Sequence, residues 1–152
     1  MSIITVKVSK QDEDFHFRGV NTNGNTVDID DATAYDDGIG QGVSPMQLLV
    51  MALGGCSGVD IMSILIKSRQ RVDSFDMEIT GEKPDGVSPS IFHTIQVRFI
   101  LQGDLDPKKV KRAIELSLGK YCSVAATLGK AASISYDYVV NGDDFEGSAV
   151  YA

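Results

Sequence analysis

The chain has 152 residues, 43% of them hydrophobic, and its 21 acidic side chains outweigh 14 basic ones to give a formal net charge of −7. That length and apolar content suit one compact domain and exclude disorder, while the acidic balance argues against phosphate backbones, so no nucleic-acid partner is expected. Two cysteines are too few for a secreted disulfide framework. The opening Met1-Ser-Ile-Ile-Thr-Val-Lys-Val lacks a charged segment followed by a long apolar run, so a cytoplasmic location is expected.

Three short strands open the chain, about Ile3 to Ser9, Asp14 to Val20 and Thr26 to Asp30, the last two joined by the Asn23-Gly24 turn signal. From Asp28 to Gly42 the sequence is acidic and glycine-rich, without periodicity, and reads as a mobile loop. Its Gly38-Ile-Gly-Gln-Gly42 run lacks the Lys-Ser/Thr of a phosphate loop, and Asp36 and Asp37 would repel a phosphate.

Ser44-Pro45 starts a long helix to about Ser68, with serine as N-cap and proline where its missing N–H costs nothing. Leu48, Leu49, Val50, Leu53, Val59, Ile61, Leu65 and their neighbours leave this helix no polar face, so protein is expected on every side of it. Gln47, Cys56, Ser57, Asp60, Ser63 and three glycines argue against a membrane span. Those glycines, Gly54, Gly55 and Gly58, each cost about 1 kcal/mol of helix propensity, which close approach of another backbone would offset. A chain this short has few elements with which to wrap such a helix, and a second subunit is expected to help.

Two long strands follow, about Ser74 to Glu82 and Ser90 to Leu101, and Ile91, His93, Ile95, Val97, Phe99 and Leu101 share one face of the second. Asp106-Pro107 caps a helix that Gly119 ends. Its Lys108, Lys109, Lys111 and Arg112 read as a solvated face. A short helix from about Ser123 to Leu128 and a last strand from Ala132 to Val140 complete one domain over residues 1–140, and the tail from Asn141 to Ala152 reads as loosely held.

Cys56 and Cys122 are too far apart for a redox loop or a zinc knuckle, so joint chemistry requires the fold to bring them together. Cys56, at mid-helix, reads either as a small buried hydrophobe or as a reactive thiolate supported by a cation, the candidates being Arg18, Lys67, Arg69 and Arg71. Cys122 begins a helix whose unpaired N–H groups would favour its thiolate, although Ser123 is the competing N-cap. Gln47, Asp60 and Tyr121 are the remaining polar groups expected near the sulfurs, and a carboxylate at Asp60 would disfavour a thiolate unless a cation paired it. His16 and His93 read as packing residues, no second ligand stands at metal spacing from either, and no metal is expected. No Ser-His-Asp ordering appears.

The segment Ser44-Pro-Met-Gln-Leu-Leu-Val-Met-Ala-Leu-Gly-Gly-Cys56-Ser-Gly-Val-Asp60, followed by Lys120-Tyr-Cys122-Ser-Val124, resembles the OsmC/Ohr family (osmotically inducible protein C and organic hydroperoxide resistance), and within it the YhfA-like branch. The resemblance implies an α+β fold built as an intertwined homodimer, with antiparallel sheets packed around long central helices. It implies that Cys56 is the peroxidatic thiol and Cys122 the resolving one, reducing organic hydroperoxides at the expense of an external dithiol and without a bound cofactor. It also points to Arg18, in an N-terminal strand, as the arginine that steadies the thiolate. Two positions depart from the peroxidase pattern. Met46 stands where those members carry a Glu that holds the arginine, and Ser123 follows Cys122 where many have proline. The alternative is therefore a dimeric stress protein, catalytically weak or inactive, that binds an apolar small molecule.

Overall fold

The structure, a computed structural model, describes every residue from Met1 to Ala152. The chain forms two compact units, Met1–Leu49 and Val50–Ala152.

The first unit is an antiparallel meander of β1 (Val6–Lys10), β2 (Phe17–Asn21) and β3 (Thr26–Ile29). The β2–β3 turn closes because Asn21 Oδ1 accepts the N–H groups of Asn23 and Asn25, while Gly24 adopts φ 86°. Arg18 and Asp28 lie opposite each other in the β2–β3 register. Val6, Val8, Phe17 and Val27 remain exposed. The segment after β3, expected to be mobile, is instead folded around the buried Asp30. Its carboxylate accepts the N–H groups of Asp31 and Gln41 at 2.8 Å and the Tyr35 hydroxyl at 3.1 Å. Repeated hydrogen bonding to one carboxylate replaces the missing periodicity as the ordering force.

Helix α1 (Pro45–Lys67) begins in the last residues of this unit and runs through the second. Its start is a capping box: Ser44 Oγ accepts the Gln47 N–H at 3.2 Å, and Gln47 Oε1 accepts the Ser44 N–H at 2.9 Å.

In the second unit, β4 (Arg71–Glu82) pairs antiparallel with β5 (Thr94–Asp104), and β5 pairs with β6 (Ser133–Val140). That second pairing is parallel, the one parallel pair in sheets that are otherwise antiparallel as expected. The chain leaves β5 through α2 (Pro107–Leu116) and α3 (Ser123–Leu128), a crossover long enough to return it to the end where β5 began. Leu53, Ile61 and Leu65 of α1, Val97, Phe99 and Leu101 of β5 and Ile114 of α2 are fully buried in this unit. Ile91 and His93 do not extend the apolar face of β5. Both are exposed ahead of the strand, and Phe92 is buried instead, its ring occupying the place a Cβ on Gly81 would take.

The expected protein sheath around α1 is incomplete within one chain. The helix is long and apolar enough to cross a bilayer, yet 33% of its most apolar window is buried. At about 100° per residue the side chains fall into three sectors. Leu53, Gly54, Ser57, Gly58, Ile61 and Leu65 form the buried one. Met51, Gly55, Val59 and Ile66 form an exposed apolar stripe, and Cys56, Asp60, Ser63 and Lys67 form the third sector. Close approach offsets the buried glycines, since a Cβ on Gly54 would lie 2.8 Å from Ile79 Cδ1 and one on Gly58 3.0 Å from Met77 Cε.

The C-terminal residues, expected to hang loosely, add β7 (Asp143–Phe145) and β8 (Ala149–Tyr151), both antiparallel to β6. Phe145 stacks on Tyr138 with ring centroids 5.1 Å apart. The Tyr151 hydroxyl donates to the Leu118 carbonyl at 3.1 Å, and Arg98 joins Asp137 of β6 to Asp144 of β7.

Candidate active site

Asp106 caps α2 by accepting the Lys108 N–H at 2.9 Å, and Pro107 occupies the first helical position. The helix does not stop at Gly119. After Leu116 it widens into a π-turn over Ser117–Tyr121, closed by the Cys122 N–H on the Ser117 carbonyl at 2.8 Å. Cys122, rather than Ser123, then caps α3, its Sγ accepting the Ala125 N–H at 3.3 Å.

This turn carries Cys122 to the third sector of α1. The sulfurs of Cys56 and Cys122 and a carboxylate oxygen of Asp60 all lie within 4.8 Å of one another. Cys56 is half-buried and Cys122 is 2% exposed. The joint chemistry that the sequence made conditional on folding is therefore geometrically available. A disulfide needs about 2.05 Å between sulfurs, so its formation requires the two thiols to approach further.

The expected depression of the Cys122 thiol is reversed. Burial, reinforced by the neighbouring Cys56 thiol, pushes it up to about 12 from the ordinary 9.0, against the opposing hydrogen bonds from the Ala125 and Val124 backbone. Cys122 is a neutral thiol at physiological pH. Desolvation outweighs two N–H donors because a short helix start supplies little charge.

Asp60 has no Lys or Arg partner. Its Oδ2 accepts the Ser117 hydroxyl at 3.1 Å, and the same hydroxyl lies 3.3 Å from the Ser57 carbonyl. Ser117 is fully buried, and no sequence signal marked it. A serine between two leucines near a helix end carries no motif, and only the π-turn aims it at α1. Asp60 also lines a cleft of ≈ 640 Å³ with Ser63, Ile64, Lys67, Leu116 and Tyr121, so one carboxylate faces both the sulfurs and an opening. Tyr121 is half exposed at that cleft, with Lys120 Nζ 5.4 Å from its ring centroid.

The other two candidates are engaged in the first unit. Arg18 Nε donates to Asp28 Oδ1 at 2.9 Å, and His16 Nε2 lies within hydrogen-bond distance of the same oxygen at 2.7 Å, so His16 is a partner of that carboxylate rather than a packing residue. Both neighbours hold the Asp28 carboxyl below its usual range, Arg18 most strongly. Gln47 is held in the capping box.

Residues 37–137 match the family model described as OsmC-like protein. The chain belongs to the OsmC-like family. It is 45% identical over 98 residues to protein YhfA of Escherichia coli (strain K12), covering 64% of this chain and 72% of that one. Among solved structures, a hypothetical protein from Aquifex aeolicus VF5 superposes with a TM-score of 0.80 at 26% identity, covering 93% of this chain and 98% of the other. An organic hydroperoxide resistance protein OsmC from Legionella pneumophila, described as a predicted redox protein, shares the fold with a TM-score of 0.67 at 12% identity, covering 92% and 98%. The family and the YhfA resemblance agree with those read from the two cysteine segments.

Proposed function

We propose that this OsmC-like protein is a cytoplasmic, thiol-dependent peroxidase that reduces organic hydroperoxides as a homodimer. The observation that carries the reading is the approach of two sulfurs and one carboxylate to within 4.8 Å, beside a cleft that the carboxylate lines. Cys56, the less buried sulfur, attacks the distal peroxide oxygen as thiolate. The O–O bond breaks, the alkoxide takes a proton and leaves as alcohol, and Cys56 becomes a sulfenic acid. Cys122 then forms the S–S bond. Its thiol proton passes to Asp60 and on to the departing hydroxide, which leaves as water. An external dithiol returns two electrons and two protons, restoring both thiols without a bound cofactor. The name of the Legionella protein supports a peroxide substrate. The exposed stripe of Met51, Val59 and Ile66 supports a second subunit over α1.

A second reading is favoured by Met46, which occupies the position of the activating carboxylate. In it, the dimer holds an apolar small molecule in the cleft of ≈ 700 Å³ whose lining includes Gly58, Met62, Phe75 and Met77, with slow or no turnover.

The test is steady-state consumption of an organic hydroperoxide with dithiol by wild type, Cys56→Ser and Cys122→Ser. The enzyme reading expects turnover in wild type only, and loss of two thiols per chain after one equivalent of peroxide without reductant. Equal background rates in all three proteins would exclude it and leave the binding reading.

A further inference from the structure

Two sulfurs and a carboxylate oxygen within 4.8 Å of one another also make a donor set for a metal ion. Cys56 and Asp60 are four residues apart on α1, so both donors leave the same side of the helix, a spacing that presents two ligands to one ion. Cys122 arrives from the junction between the π-turn and α3. The expectation of no metal rested on spacing along the chain, whereas this trio is assembled by the fold.

We propose that the reduced site captures a thiophilic divalent cation, zinc being the type, through Cys56 Sγ, Cys122 Sγ and one Asp60 oxygen, with water as fourth ligand. Each thiol releases its proton to solvent and bonds the ion through sulfur; no electrons are transferred. The proposal concerns the reduced thiols and does not depend on peroxide turnover.

Softness selects the ion. Two thiolates favour zinc over the oxygen-seeking magnesium and calcium. Geometry is compatible, since tetrahedral zinc with Zn–S near 2.3 Å and Zn–O near 2.0 Å separates its donors by about 3.5–3.8 Å. Donors within 4.8 Å converge on that arrangement by side-chain rotation. The outer contacts are also built. Ser117, fully buried, holds Asp60 Oδ2 at 3.1 Å and leaves Oδ1 free to ligate. The Ala125 N–H already points at Cys122 Sγ from 3.3 Å, a contact that persists when the sulfur becomes a thiolate. Asp60 connects the trio to the ≈ 640 Å³ cleft, which provides the entry path, and Lys67 on the cleft wall partly balances the extra negative charge of a three-anion site. Oxidation of the two sulfurs to a disulfide removes two of three ligands, so ion and oxidant exclude each other.

The full chain, reduced and metal-free under anaerobic conditions, is titrated with Co²⁺ and then with Zn²⁺. The expected result is one Co²⁺ per chain with a thiolate-to-cobalt charge-transfer band, displaced by Zn²⁺ and indifferent to excess Mg²⁺. Asp60→Asn weakens binding by at least about tenfold, as loss of a ligand does, and Ser117→Ala weakens it less. In wild type, which raises no question of folding, Zn²⁺ slows alkylation of both cysteines. Absence of the charge-transfer band, unslowed alkylation, or undiminished affinity in Asp60→Asn would each overturn the proposal. All readouts are taken without peroxide, so failure of the peroxidase assay leaves this result standing, and the converse.

Discussion

Ser117 Oγ donates to Asp60 Oδ2 at 3.1 Å, joining the π-turn after α2 to the sulfur-bearing side of α1. The bond orients a carboxylate that has no cation partner and lies beside two thiols. Ser117→Ala should remove about 1–2 kcal/mol of stability, because the buried hydroxyl is lost while Asp60 keeps access to the cleft. Urea unfolding checks this as a lower midpoint at unchanged slope. In the peroxidase assay the same variant should slow disulfide formation more than sulfenic acid formation.

The neutrality of Cys122 sets a pH dependence. Folding raises its thiol to about 12 from an ordinary 9.0, so folding favours the protonated form. That stabilisation is complete below pH 9 and is lost as the pH rises from 9 through about 12. Wild type should therefore lose stability over that window more steeply than Cys122→Ser, whose hydroxyl does not titrate there. Tyr136, also raised to about 12, contributes to both proteins, and the difference between their urea midpoints isolates the thiol.

The buried glycines of α1 are set by β4. Gly54→Val puts branched carbon where Ile79 Cδ1 already lies 2.8 Å from the first added atom, and should cost about 1–3 kcal/mol. The check is a lowered urea midpoint, rescued in part by Ile79→Val.

Val59, 73% exposed in the middle of the apolar stripe, is the place to test subunit association. Wild type should sediment as a dimer at micromolar concentration. Val59→Glu should sediment near the 16.4 kDa of one chain, because a carboxylate in that interface would be buried without a partner. A wild type that is monodisperse at chain mass would remove the dimer.

Asp30 orders the segment that follows β3. Asp30→Ala removes the acceptor shared by Asp31, Gln41 and Tyr35. Limited proteolysis should then cut within residues 31–42 at least about tenfold faster than in wild type, a change that follows from local opening rather than global unfolding.

Strands and helices with a clear period were legible in the sequence. The Ser44-Pro45 and Asp106-Pro107 starts hold to the residue, because each places a side-chain acceptor over free N–H groups. β7 and β8 were not legible, since three residues carry no period and their pairing depends on β6 beneath them. The two sulfurs could be named but not brought together from the residues alone. The contact depends on an extra residue in the Ser117–Tyr121 turn, and sequence offers no marker for a π-turn. The same turn explains why Ser117 was missed. The sign of the Cys122 perturbation was misread because local N–H groups are visible in sequence, whereas burial against α1 is not.

The widened turn at Ser117–Tyr121 fixes chain length at that point. Deleting one residue there would restore an ordinary helical repeat and swing everything beyond it by about 100°. Cys122 would then face away from Cys56, with every side chain of the site still present in the chain. The Lys83–Pro89 connection between β4 and β5, where a longer excursion displaces no site residue, should tolerate insertions. Related sequences that keep both cysteines but differ in spacing across this turn would carry the same letters without the same proximity.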